Sequence, residues 1–231
     1  MQSPPAVLIL GIGNVLWADE GFGVRVVEAL QRKYKFPNNV VVMDGGTQGI
    51  YLVQHVQAAD ILVVFDAIDY GLPPATLKII EGHAVPKFLG AKKMSLHQTG
   101  FQEVLAMAEM LGDYPEQLCL VGVQPEELED YGGSLRDQVK ARIPEAIEFA
   151  IQYLHKFDIH LTARDALDCE ITEAREHALA LERYEKERPP EEVACRKGDD
   201  RVIHSQAFNI QYREVPLEDA ISVDVDHRGK Y

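Results

Sequence analysis

Three side chains, Glu20, Asp66 and His97, have the types and the places in the chain to hold a divalent ion. Two carboxylates and one imidazole suit a borderline metal and leave coordination positions open for water or substrate. Asp19 and Glu20 follow the first apolar run, Asp66 closes Val63-Val-Phe-Asp66, and His97 lies in Ser95-Leu-His-Gln-Thr-Gly100 ahead of a strongly apolar helical stretch. Ser95 with Gln98, and Thr99 with Gln102, fit capping boxes, which puts His97 at or just before a helix N-terminus. A helix N-terminus disfavours imidazolium, so neutral imidazole, the metal-binding form, is expected there. Each residue also has a plainer reading. Asp19 or Glu20 can cap a helix, Asp66 can cap a loop through its own backbone, and an isolated histidine is more often a solvent-facing or capping residue. Their convergence on one rim is what favours a site.

That convergence depends on the elements that carry them. Val7–Gly11, Val40–Asp44, Ile61–Asp66, Thr76–Glu81 and Leu118–Gln124 are short Val-, Ile- and Leu-rich runs whose near-continuous apolarity predicts strands buried on both faces. Helical spacing predicts helices over Gly21–Tyr34, Gly49–Gln57, Gln98–Leu111 and Leu135–Leu154, the last kinked or divided at Pro144. The alternation predicts an α/β three-layer sandwich: a twisted five-stranded, mostly parallel sheet with helices on both faces. The link from Ala67 to Ala75 is too short for a parallel crossover, so Thr76–Glu81 is expected to run antiparallel near an edge. In such sheets ligands bind beyond the carboxyl ends of the strands, where Glu20, Asp44 and Asp66 all fall.

Composition removes several classes of function. The 231 residues carry a formal charge of −14, which argues against a phosphate-backbone binder, so nucleic acid is not an expected partner. The apolar runs are strand-sized, far short of the roughly 20 residues that span a bilayer. The start, Met1-Gln2-Ser3-Pro4-Pro5, has no basic region, so no secretory signal is expected and the cytoplasm is the expected compartment. Cys119, Cys169 and Cys195 are too dispersed for a zinc knuckle or disulfide framework, and Cys119 reads as a core residue. Gly11-Ile-Gly13 resembles the start of a dinucleotide fingerprint, but Leu16 stands where its third glycine belongs, and Asp19 and Glu20 would repel a phosphate.

Taken together, the motifs resemble those of the hydrogenase maturation proteases, endopeptidases that trim the C-terminus of the nickel-iron hydrogenase large subunit. The matching segments are Leu8-Ile-Leu-Gly-Ile-Gly-Asn14, Asp19-Glu-Gly-Phe-Gly23, Asp44-Gly-Gly-Thr47 with Gly49, Val63-Val-Phe-Asp-Ala67, Ser95-Leu-His-Gln-Thr-Gly100 and Gly122-Val-Gln-Pro125. They span residues 6 to about 155 in order, and they look closest to the branch serving uptake-type hydrogenases.

The resemblance implies metal-binding and catalytic roles for Glu20, Asp66 and His97, with Asp19 a lesser candidate for the first acid. It implies that nickel arrives in the large-subunit precursor, held by substrate thiolates, and that the protein carries no resident organic cofactor. Gripping that nickel would place the nearby peptide bond. The attacking water would be activated by the ion or by a carboxylate such as Asp66. Asp44, Gly45 and Gly46 border the expected cleft as substrate-binding positions. The competing function is a noncatalytic nickel- or precursor-binding chaperone using the same ligands.

Residues 1–160 would form the protease domain and 161–231 an acidic C-terminal extension of unknown role, disordered or loosely packed. A helix is expected over 166–186, with strand-like pieces at 201–204 and 207–213. His204 and the tail around His227 read as solvated polar residues.

Overall fold

Near-continuous apolarity buries the runs at 7–12, 61–67 and 118–123 on both faces of one sheet, whereas those at 40–46 and 77–81, expected to be buried likewise, form its two edges and are only partly covered, with Val41 51% exposed. The computed structural model describes residues 4–86, 96–165 and 180–188, with the backbone alone for 96–100. Strands β1 (Val7–Ile12), β3 (Val40–Gly46), β4 (Ile61–Ala67), β5 (Leu77–Glu81) and β6 (Gln117–Val123) lie in the order β3-β1-β4-β6-β5. All neighbours pair in parallel except β5 with β6, so the short Ala67–Ala75 link does end in an antiparallel edge strand.

The period-two alternation of these strands sorts side chains between two cores. Ile9, Val63, Phe65 and Val121 face the first core, which is covered by α1 (Phe22–Lys33) and α5 (Ile143–His155). Leu8, Leu10, Leu62, Val64 and Leu120 face the second, covered by α2 (Val53–Gln57) and α3 (Leu96–Leu111). This is the expected three-layer sandwich. Pro144 divides the last expected helix into α4 (Asp137–Lys140) and α5, where it occupies the first turn. There its missing N–H costs nothing, because first-turn donors have no intrahelical acceptor. Cys119 is buried in the first core, as expected.

Two pieces beyond residue 160 attach to this core. Strand β7 (Thr162–Ala163) pairs antiparallel with β2 (Tyr34–Lys35), and the Arg164 guanidinium donates to the Gln31 and Tyr34 carbonyls, both at 3.0 Å. A cation on the last carbonyls of α1 favours that helix end. Helix α6 (Leu181–Glu187) lies beside α1, with Glu182 paired to Arg32 at 3.5 Å near the end of α1 and the Arg25 guanidinium 5.5 Å from the Tyr184 ring centroid near its start. This segment is therefore docked where loose packing was expected. The start of the expected 166–186 helix, the pieces at 201–204 and 207–213, and Cys169, Cys195, His204 and His227 lie outside the described residues.

Candidate active site

Asp66 is the sixth residue of the fully buried strand β4 and is itself wholly buried, with Oδ1 accepting the Ala67 N–H at 2.8 Å. Strand parity turns it away from Phe65 and onto the face of the second core, the face that α3 covers. Its register partner on β6 is Gly122. A Cβ on Gly122 would come within 2.8 Å of the Tyr70 hydroxyl, so the missing side chain is what admits the Tyr70 ring beside Asp66. Burial, and then the negative charge of Asp66, push the Tyr70 phenol well above its ordinary pKa, which keeps it protonated. Lys78, paired with Gly122 from β5, carries its ammonium 5.0 Å from the Tyr70 ring centroid.

Glu20 comes from the single 3-10 turn, Ala18–Gly21, between β1 and α1. Two glycine positions press that turn onto the sheet. Gly13 has φ +135°, and a Cβ there would overlap the Glu20 carbonyl; one on Gly23 would overlap the carbonyls of Ile12 and Phe65. Any larger residue would lift the turn off the strand ends. The loop is thereby fixed against the residue preceding Asp66, and Glu20 stands half-buried at the carboxyl ends of β1 and β4.

Asp19, its neighbour, does different work. It is fully buried, with Oδ2 accepting the N–H groups of Glu126 (2.8 Å) and Glu127 (2.9 Å) and Oδ1 that of Arg136 (2.7 Å). Burial raises its pKa, while the backbone donors and the Arg136 charge oppose the rise. With three lone-pair directions committed to backbone, Asp19 acts as the anchor of the 126–136 loop. The loop is tied again by an isolated antiparallel bridge between Trp17 and Tyr131, whose rings lie 5.2 Å apart, and by the Gly132 N–H on the Leu16 carbonyl at 2.7 Å.

Gln124 anchors a second rim loop. Its Oε1 accepts the N–H groups of Tyr70 (2.8 Å) and Leu72 (3.1 Å), and its Nε2 donates to Asp69 Oδ1 at 3.0 Å. The Gly122-Val-Gln124 motif therefore positions Tyr70 twice, by making room for the ring and by holding its backbone. Nothing in the sequence pattern marks Tyr70, Lys78 or Gln124 as members of one cluster, because their contacts join three separate elements. The only available signal was a glycine interrupting a buried strand.

The structure brings together some of the expected residues. Glu20 and Asp66 share the rim at the ends of β1 and β4. His97 is the second residue of α3, which packs on Asp66's face through Phe101, Val104 and Leu105, and its side chain lies outside the described part. Among the described residues no three His, Cys, Asp or Glu side chains are grouped to hold a metal. Asp44 differs. It pairs with Gly11, which also pairs with Phe65, so its side chain goes to the α1 face, where its charge raises the Glu28 pKa behind the larger effect of burial. Gly45 faces the other way, with no room for a side chain beside Leu10, and Gly46, at φ +46°, joins its carbonyl to the Gly13 N–H at 3.1 Å.

With this geometry the chain can be set beside known proteins. It matches the family model described as hydrogenase maturation protease over residues 24–153. It is 60% identical over 205 residues to the hydrogenase expression/formation protein HupD of Thiocapsa roseopersicina, covering 89% of this chain and 93% of that one. The HoxM protein of Azotobacter vinelandii is 58% identical over 218 residues, covering 94% of this chain and all of the relative. Identity to the hydrogenase 2 maturation protease of Escherichia coli K12 is lower, 39% over 162 residues, covering 70% of this chain and 98% of that protein. Among solved structures, the E. coli hydrogenase maturating endopeptidase HybD superposes with a TM-score of 0.66 at 38% identity, over 69% of this chain and 98% of that one. The chain accordingly belongs to the hydrogenase maturation protease family, a family of endopeptidases, and within it stands with the HupD and HoxM proteins of the uptake-hydrogenase branch.

Proposed function

We propose that this endopeptidase removes the C-terminal extension of a nickel-iron hydrogenase large-subunit precursor in the cytoplasm after nickel has been inserted, and that the substrate's nickel is the element it recognises. What supports the reading is the packing of the turn that carries Glu20 against the strand end that carries Asp66, with α3, whose second residue is His97, covering the face Asp66 points to.

In this reading Glu20, Asp66 and His97 add two carboxylate oxygens and an imidazole nitrogen to a nickel ion already held by substrate thiolates. Fixing the ion fixes the peptide bond near it, and proximity of this kind removes much of an activation barrier. The water is activated by the substrate's metal or by a carboxylate, with Asp66 the candidate base. The backbone of Gly45 and Gly46, which lacks side chains, offers an approach for the substrate's extended segment, and Asp44 flanks it.

The test is to incubate the protein with nickel-loaded and nickel-free precursor and to follow the C-terminal mass of each. Shortening of the loaded form alone is the expected result. Precursor that binds without being shortened would instead make the protein a chaperone. Glu20→Ala, Asp66→Ala and His97→Ala should each abolish shortening while leaving a folded chain, and wild-type shortening by all three would refute the site.

A further inference from the structure

Helix α6 has seven residues, too few to be stable in water by itself, so its contacts hold it in place. Those contacts converge on a short stretch of the neighbouring chain. Glu185 Oε1 accepts from the Ser134 hydroxyl and the Lys140 ammonium, each at 2.6 Å. The Tyr184 hydroxyl donates to the Gly133 carbonyl at 3.3 Å, and its ring receives the Arg25 guanidinium. Arg25 is only 3% exposed and is paired at 2.9 Å with Glu28. Ala180, at the helix start, is 6% exposed, and Glu182 pairs with Arg32 at 3.5 Å.

Gly133 and Ser134 belong to the loop whose other side is tied to Asp19. The loop contains no helix or sheet strand between Val123 and Asp137, so besides its internal ties, the Arg136–Asp130 ion pair at 3.0 Å and the Gly133 N–H on the Asp130 carbonyl at 3.0 Å, its place on the core depends on ties from outside. On the inner side those ties are Asp19, Leu16 and Trp17, the residues immediately before Glu20. On the outer side they are Tyr184 and Glu185. Ser134 is 7% exposed, and a buried hydroxyl that lost its partner would favour a rearranged loop. The family model matches residues 24–153, so this outer tie lies in sequence beyond the span that model covers.

We infer that residues 180–188 are a brace that holds the 126–136 loop against the active-site turn, which makes Tyr184 and Glu185 positioning residues for Glu20. Neither side chain touches the reacting atoms. Each acts through Gly133, Ser134 and Lys140, then through the loop to the three amides bound by Asp19, and so to the turn carrying Glu20. The inference rests on the protease reading for its effect on catalysis, and on the hydrogen bonds alone for its effect on the loop.

Two measurements on the full chain separate these layers. In Tyr184→Ala and Glu185→Ala, hydrogen-exchange protection of the Glu126, Glu127 and Arg136 amides should fall about tenfold while that of Ile147 to Ala150 in α5 is unchanged. With nickel-loaded precursor, kcat should fall roughly ten- to hundredfold with KM within about twofold, the pattern of a misplaced catalytic group. Tyr184→Phe and Glu185→Gln, which keep the ring and one acceptor oxygen, should show the same changes in smaller measure and serve if the alanine variants do not fold. Unchanged protection at the three amides would overturn the brace. A rise in KM alone would also overturn it, by making α6 a substrate-docking contact. If the wild-type chain does not shorten the precursor, the protease reading fails, and the exchange result still decides whether α6 braces the loop.

Discussion

The two loops on the active-site rim are held by different chemistry. The 126–136 loop is gripped by the buried carboxylate of Asp19, which accepts three backbone N–H groups from residues more than a hundred positions away. The turn at residues 69–72 is gripped by the neutral amide of Gln124, which both accepts and donates. A carboxylate gives stronger hydrogen bonds than an amide, but it exposes the loop to protonation. The loop next to Glu20 is thus held through an ionisable side chain, whereas the turn carrying Tyr70 is held through an amide that does not titrate.

The largest effect should come from removing the charged anchor. Asp19→Ala leaves three backbone donors without their acceptor, at a cost of about 3–5 kcal/mol by the usual penalty for buried unmet groups. For a chain of this size that corresponds to a fall in Tm of roughly 10 °C. Glu20→Ala, one residue along, should leave Tm within about 2 °C because Glu20 is only half-buried and accepts none of the three loop amides that Asp19 holds. Both should lose precursor shortening. Thermal denaturation of the two variants side by side tests the division of labour, and equal losses of stability would break it.

Gln124→Ala should cost less, about 2–3 kcal/mol, because it leaves two backbone donors without their acceptor where Asp19→Ala leaves three, and on a partly solvated turn. Its footprint should also differ. Exchange of the Tyr70 and Leu72 amides should quicken while Glu126, Glu127 and Arg136 keep their protection, and loosening of both loops together would show that they are one unit.

Acid sharpens the contrast further. Burial pushes Glu185 up, but hydrogen bonds from Lys140 and Ser134, with the charges of Lys140 and Arg188, outweigh it and leave its pKa below the ordinary 4.5. The unfolded chain then binds this proton more readily, so the stability Glu185 contributes is present above 4.5 and lost as pH falls through the folded value. Asp19 has the opposite sign. Its folded pKa lies above 3.8, so its contribution declines as pH rises from 3.8 through the folded value. Urea unfolding of Glu185→Gln and wild type from neutral pH downward should therefore converge in acid, and a constant offset between them would show that the Glu185 charge contributes nothing to the loop.

Much of this architecture was legible in the sequence, and for identifiable reasons. Runs buried on both faces fix strands through composition, a nine-residue link forbids a parallel crossover, and Pro144 can only begin a helix. What escaped notice depends on contacts between distant residues. Asp19 and Glu20 are adjacent and chemically alike, and only the backbone amides of 126, 127 and 136 make one an anchor. Gln124 reaches back more than fifty residues to Tyr70 and Leu72. The β2–β7 ladder is two residues long, below any detectable period, and α6 has the charged composition of a solvated tail even though Tyr184 and Glu185 tie it down. The triad expected from Glu20, Asp66 and His97 was legible as a set of strand-end and helix-end residues, because position along an element can be read without knowing the register.

Asp44 shows where that kind of reading stops, and it provides the smallest expected effect. It ends a strand just as Asp66 does, and by position alone the two are equivalent. The register makes them unlike: Asp44 aligns with Gly11 and Phe65, so it faces α1 and Glu28, whereas Asp66 lies one residue further along its strand and faces α3. Removing Asp44 also relieves its repulsion of Glu28. Asp44→Ala should therefore change KM for precursor by no more than about threefold with kcat unaltered, as for an exposed charge on the rim. Gly45→Ala lies between these extremes, since its methyl group would press on the Leu10 side chain and the Gly11 carbonyl. A loss of kcat in Asp44→Ala comparable to that in Asp66→Ala would mean that strand-end position, and not the face set by register, decides which acids serve the reaction.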